Sequence, residues 1–265
     1  MFPQFPQPKM IAELINLSTK VNETQCRLML AGCAYQMNMH YSPAWGEVPL
    51  GVNYFGSSMD DVNKVPSNRA TVLLMDNSDA EQGVLGYHTE LADKLVVKVF
   101  VQPVLDAGGS VLGDPNNLSQ YCVSSTLSHE LLELAGDPYV NWWADGPSTT
   151  QGSQYSFELC DPVEGTQYAV SVSDPDSAGR AAHVIVSDFV LSSWFDPQST
   201  KGPWSYCNSA PGPFQLAPNS YMVVRSGGPG TEQQIFADRA TYPQWKLDTK
   251  KSKLSRTYKR GIVNV

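Results

Sequence analysis

The side chains best suited to chemistry are concentrated in Thr126-Leu-Ser-His129-Glu130-Leu-Leu-Glu133-Leu-Ala-Gly136-Asp137-Pro138. On an α-helix four residues turn through about 400°, so Glu133 comes round to within about 40° of His129, one turn along. Both side chains then project from one face, as two ligands of a single ion would. Cys122, Ser125 and Thr126 fall on the same side, while Leu127, Leu131, Leu134 and Ala135 gather opposite and would bury against a sheet. Glu130, about 100° from His129, sits at the edge of the polar stripe. From there it can reach a water on the ion without ligating the ion, which makes it the candidate general base. The competing reading is a surface helix whose His and Glu simply face water.

The segment resembles the zincin helix H-E-x-x-H, in which two His bind zinc and the Glu is the base, with Glu133 in place of the second His. A carboxylate can replace the imidazole on Zn²⁺, and it makes the site harder, so Ca²⁺ and Mn²⁺ stand as alternatives. Gly136 occupies the glycine position of the longer metzincin pattern, but Tyr139 stands where that pattern has its third ligand. A third ligand is offered further on, in Tyr155-Ser-Phe-Glu158-Leu-Cys160-Asp161-Pro-Val-Glu164. Read as a strand, this segment puts Tyr155, Phe157 and Leu159 on one face and Ser156, Glu158 and Cys160 on the other, with Asp161 at its end. From Ser125 to Glu164 the chain is similar to a zincin-like segment of a poorly characterised bacterial and phage-type group. It is also similar to a segment of the exordium/phosphate-induced family of plants. That resemblance implies a zincin-like metallopeptidase holding zinc through His129, Glu133 and either Glu158 or Asp161, with Glu130 catalytic and a peptide or protein as substrate. Asp137 is the candidate for orienting His129. The rival implication is a non-catalytic structural or binding protein, for example a virion component, that keeps the metal site and binds partner subunits or further copies of itself.

Several elements must position these groups. Asn22-x-x-Gln25 predicts a capped helix from Glu23 to Met39, with Leu28, Ala31, Tyr35 and Met39 at helical spacing and Pro43 forcing an exit into the turn HYSPAWG. Ala70–Met75, Val84–His88 and Leu95–Pro103 read as strands. Asn117-x-x-Gln120 predicts the start of the second helix, ended by Gly136 before Pro138. Strands are then expected at Tyr155–Cys160, Gln167–Val172, His183–Leu191 and Ser220–Arg225. The expected class is α+β: a zincin-like mixed sheet with an active-site helix, then a mostly β C-terminal half. The expected organisation is one domain over residues 1–245, with helix and sheet in 20–140 and a β-rich part in 150–245, followed by a basic tail at 246–265.

Composition narrows the function classes. Of the 265 residues 42% are apolar and 17% charged, an ordinary globular balance that argues against disorder and coiled coil. The net charge is −8, yet seven Lys and Arg against one acid, Asp248, make residues 246–265 strongly basic. The acidic remainder argues against nucleic-acid binding except through that tail, which could equally be a solvated or subunit-docking terminus. No apolar run is long enough to span a membrane. MFPQFPQPKM has neither a basic nor an apolar signal region, so cytoplasmic residence and assembly into a virion are both open. The five Cys form no CxxC pair, and Cys26 and Cys33 read as buried thiols. Among the remaining His, His40 reads as a helix C-terminal partner, His183 as a sheet histidine, and His88 as a residue bordering a cleft, with contact to substrate or metal as the lesser reading. Asp174-x-Asp176 with Gly179 lacks the closing Glu of a calcium loop and reads as a turn. G-x-S-x-G, P-loop and G-x-G-x-x-G motifs do not occur, which lowers the serine-hydrolase, NTPase and dinucleotide readings. The aromatic, Pro/Gly-rich loops could form a sugar- or protein-binding surface or serve as core anchors.

Overall fold

The computed structural model describes residues 10–79, 84–147, 152–174, 180–226, 232–238 and 240. The basic tail, the GGPG turn and the Asp176–Gly179 part of the calcium-like turn lie outside them.

The chain begins with β1 (Ile11–Asn16), α1 (Glu23–Gln36), a π-helical turn (Met37–Tyr41) and α2 (Ser42–Trp45). The Asn22/Gln25 capping box opens α1 as expected. Pro43 does not end the helical path. It lacks an N–H and would crowd the carbonyl four residues back, and the chain accommodates it by widening into the π-helical turn; Gly46, with φ 68°, then terminates α2. The buried face of α1 carries Cys26, Met29, Leu30 and Cys33, whereas Tyr35 and Met39 are exposed, so the expected apolar stripe is rotated.

There follow β2 (Gly51–Gly56), α3 (Met59–Val62), β3 (Ala70–Met75), β4 (Gly86–Leu91), β5 (Lys94–Phe100) and α4 (Val101–Asp106). They build a five-stranded sheet in the order β2-β1-β3-β5-β4. The first four strands are parallel, and β4 pairs antiparallel with β5 as an edge strand. The interior strands read as near-continuous apolar runs because both faces of a parallel sheet are covered. Ala92 and Asp93, both at positive φ, make the tight β4–β5 turn. β5 stops at Phe100 rather than Pro103, because Val101–Asp106 turns helical.

The site helix α5 (Val123–Gly136) starts later than the Asn117 signal predicts. Residues before it are used in a turn on Asp114, and Cys122 pairs as a bridge with Ser110, so helical geometry begins only at Val123. Beyond α5 the chain is mostly β: β6 (Trp143–Asp145), β7 (Ser153–Ser156), β8 (Gln167–Ser173), β9 (Ala181–Ser187), β10 (Tyr221–Ser226) and β11 (Glu232–Phe236). These form an antiparallel sheet β11-β10-β7-β6 and a hairpin β8-β9. The class is therefore mixed α and β, a mixed sheet followed by a mostly β half. α5 packs between β4 and β5 on one side and β9 on the other. Leu127, Leu131, Leu132 and Leu134 are fully buried, each contributing about 1.5–3 kcal/mol. One continuous core joins Ala12 in β1 to Val224 in β10. No helix of the described residues is long and apolar enough to cross a membrane.

Candidate metal centre

Because α5 is covered on two sides, its polar stripe is enclosed as well as its leucines. Ser124 Oγ donates to the Ile185 carbonyl at 2.7 Å, and Ser128 Oγ accepts the Ser187 N–H at 2.9 Å while donating to Gln36 Oε1 at 2.7 Å. These bonds fix the rotation of α5 against α1 and β9. A Cβ at Gly136 would come within 2.6 Å of Leu159, so glycine there lets the loop carrying Cys160 and Asp161 close onto the helix. On the other side β4 turns His88 inward, and a Cβ at Gly86 would lie 3.0 Å from Glu130 Oε1.

Glu133 is the hub of the resulting cluster. His129 Nε2 lies 3.2 Å from Glu133 Oε1 and 3.4 Å from Asp161 Oδ1. On the opposite flank, His88 Nδ1 lies 3.5 Å from Glu130 Oε2 and 3.6 Å from Glu133 Oε2. Two sets of ligand atoms, His129/Glu133/Cys160 and His88/Glu130/Glu133, each lie within 4.8 Å of one another. Two ligands held about 2.0–2.1 Å from a tetrahedral ion stand about 3.3–3.4 Å apart, close to the His129–Glu133 and His129–Asp161 separations.

The charges in this cluster are not neutralised by fixed cations. Among the described residues no Lys or Arg pairs with Glu130, Glu133 or Asp161, all of them at most 6% exposed. Buried Glu133 Oε1 makes no hydrogen bond of acceptable geometry, although His129 Nε2 lies 3.2 Å away. Burial pushes the Glu133 carboxyl above its usual value; His129 opposes this, and the charges of Asp161 and Glu130 add to it. Burial alone would push His129 down, but the charge of Glu133, the close approach of the Asp161 and Glu133 carboxylates and the charge of Glu130 outweigh it. The imidazole is therefore held well above its usual value. Burial, then the Glu133 charge, push the Cys160 thiol well up. Such a pocket retains protons or takes up a cation.

Of the residues expected to act, His129, Glu130, Glu133 and Asp161 are brought together. Glu158 is buried, but β7 ends at Ser156, so Glu158 lies on the following loop; neither it nor Asp161 belongs to the two sets of ligand atoms, and Asp161 joins the cluster through its 3.4 Å approach to His129 Nε2. Asp137, the candidate for orienting His129, is held on the loop after α5. Its carboxylate accepts the Asn141 and Trp142 N–H groups at 3.0 and 2.8 Å, and its carbonyl accepts from His88 Nε2 at 3.1 Å. His88 and Cys160 join the site; the sequence offers metal contact for His88 only as the lesser reading and does not single out Cys160 as a ligand. For His88 the available signal was its place beside Gly86 on an alternating strand; for Cys160 it was adjacency to Asp161. His40 instead bonds Tyr168 OH at 2.8 Å and stacks on Tyr206, and His183 is exposed beside Ser171. Comparison with protein-family models, curated proteins and solved structures finds no match to this chain.

Proposed function

We propose that this protein is a zincin-like, metal-dependent hydrolase of peptide bonds, with His129 Nε2, Glu133 Oε1 and Asp161 Oδ1 holding a divalent cation. The observation that carries this reading is the pair of ligand-like separations from His129 Nε2 to Glu133 Oε1 and Asp161 Oδ1, the former a buried oxygen with no hydrogen bond of acceptable geometry. The donors fit Zn²⁺ best: they are imidazole nitrogen, carboxylate oxygen and, close by, the Cys160 thiol. Ca²⁺ takes oxygen ligands rather than imidazole nitrogen, which leaves Mn²⁺ as the nearer alternative. When bound, such an ion supplies Lewis acidity to a substrate carbonyl and to its attacking water.

Glu130 then does the proton work. Its carboxylate takes a proton from the attacking water and returns it to the leaving amine. His88, tied to the Asp137 carbonyl, holds Glu130 from behind, and Gly86 leaves it room. Glu133 and Asp161 supply negative charge that a cation offsets. Protein purified without chelator should contain zinc or manganese and cleave members of a broad peptide library in a chelator-sensitive way. Metal-free protein with no thermal shift on adding either ion would end the proposal.

One observation favours a second reading. His129 has only 14% of its side chain exposed, and the carboxylates are nearly enclosed. A closed ion site suits a non-catalytic structural protein, such as a virion component, in which the ion ties α5 to the Cys160–Asp161 loop. Bound metal with no chelator-sensitive cleavage would favour that reading.

A further inference from the structure

We infer that the cluster holds a second divalent-cation site, formed by His88 Nδ1, Glu130 Oε2 and Glu133 Oε2, with Glu133 bridging it to the first. The inference begins with the ring of His88. A carbonyl oxygen can only accept, so the contact of His88 Nε2 with the Asp137 carbonyl at 3.1 Å places a proton on Nε2. That leaves Nδ1 as the ring atom turned to the two carboxylate oxygens, at 3.5 and 3.6 Å. A ring nitrogen and two carboxylates converging in a buried space require positive charge among them, which a divalent cation supplies in full. A backbone carbonyl behind one ring nitrogen is also the usual way a protein presents the other nitrogen to a metal.

Glu133 is the second, independent indication. It is 95% buried, its Oε1 makes no hydrogen bond, and its two oxygens are turned to different imidazoles, Oε1 to His129 and Oε2 to His88. A carboxylate arranged in this way suits one ion per oxygen, as in two-metal hydrolases. The charges agree, since one divalent cation cannot balance Glu130, Glu133 and Asp161 together. The ligand is a small divalent cation accepting nitrogen and oxygen donors, Zn²⁺ or Mn²⁺.

This site rests on the proposed function only through the shared Glu133, and it has a consequence for it. An ion on Glu130 Oε2 lowers the basicity of the whole carboxylate, so the second ion weakens the chemistry that the first supports. Turnover should therefore rise and then fall as free Zn²⁺ increases.

The test is a Zn²⁺ titration of the chelator-stripped full chain, followed by calorimetry and by elemental analysis after gel filtration. The expected stoichiometry is two ions per chain. His88→Gln and Glu130→Gln should each weaken one of the two by about 10–100-fold or more, leaving the other and the circular-dichroism spectrum in place. Asp161→Asn should weaken the other. One ion in the wild type, unaffected by His88→Gln and lost in Asp161→Asn, would overturn the second site while sustaining the first. One ion lost in His88→Gln but kept in Asp161→Asn would sustain this site and overturn the proposed one. No bound Zn²⁺ at all would overturn both.

Discussion

Asp188 and Glu133 are both buried carboxylates with no Lys or Arg partner among the described residues, yet their surroundings treat them in opposite ways. Asp188 accepts the Phe189 and Cys207 N–H groups at 2.8 and 2.9 Å and the Ser209 hydroxyl at 2.7 Å. It ties the segment after β9 to the loop at 205–210, and its lone pairs are used. A third buried carboxylate, Glu13 in β1, is paired with Arg69. Glu133 has neither solution: its neighbours are two imidazoles and two further acids, and one of its oxygens lacks a hydrogen bond. Burial of charge is thus compatible with a purely structural role when donors surround it. The α5 cluster departs from that pattern, and the departure is what points to function.

The largest effect expected from breaking this contrast is on catalysis. Glu130→Gln keeps the shape and removes the base, so chelator-sensitive cleavage should fall by about 10²–10⁴-fold. Elemental analysis should still find the ion held by His129, Glu133 and Asp161. Unchanged cleavage would remove Glu130 from the mechanism. Next in size is a pair of substitutions expected to move stability in opposite directions. Asp188→Ala strands three donors, each costing about 1–3 kcal/mol, and should lower the unfolding free energy by about 3 kcal/mol or more without changing metal content. Glu133→Gln removes a charge that burial and the neighbouring acids disfavour more than His129 offsets it, so in chelator it should raise stability by about 1 kcal/mol, while ion uptake is lost. Denaturant melts of the two variants in EDTA test this, and a destabilised Glu133→Gln protein would mean that Glu133 is structural after all.

The same contrast explains what could be read from the sequence. The i, i+4 spacing of His129 and Glu133, with Glu130 beside them, is local helical geometry, and α5 keeps it. Helix and strand identities were also largely legible, including the Asn22/Gln25 cap. The leucine face of α5 was legible too; that its polar face is enclosed was not, because enclosure comes from β4 and β9, far away in the chain. His88 enters the cluster only through the antiparallel pairing of β4 with β5, which is non-local information. The expected strand over Tyr155–Cys160 breaks at Ser156, after which the chain turns inward beneath Gly136. Alternation of residue types records a pleat but not where the pleat stops.

The smallest expected effect, and the most specific, is the pH dependence of the metal-free protein. His129 is held well above the usual 6.5 and Glu133 above 4.5. A group whose folded pKa is raised binds its proton more tightly in the folded state. Its stabilisation is complete below the unfolded pKa and is lost as pH climbs through the folded one. In EDTA, stability should therefore begin to decline above about pH 4.5 and decline further above about pH 6.5, as the unfolded chain releases protons that the cluster retains. A bound ion inverts the trend, because ligands must shed their protons to hold it, so metal and protons compete for the same atoms. The gap in melting temperature between Zn²⁺-loaded and chelated protein should widen steadily from pH 5 to pH 8. Asp188 shifts upward as well, through burial, but it binds no ion and contributes equally to both curves. A gap that stays constant or narrows with rising pH would show that the α5 cluster does not exchange its protons for metal.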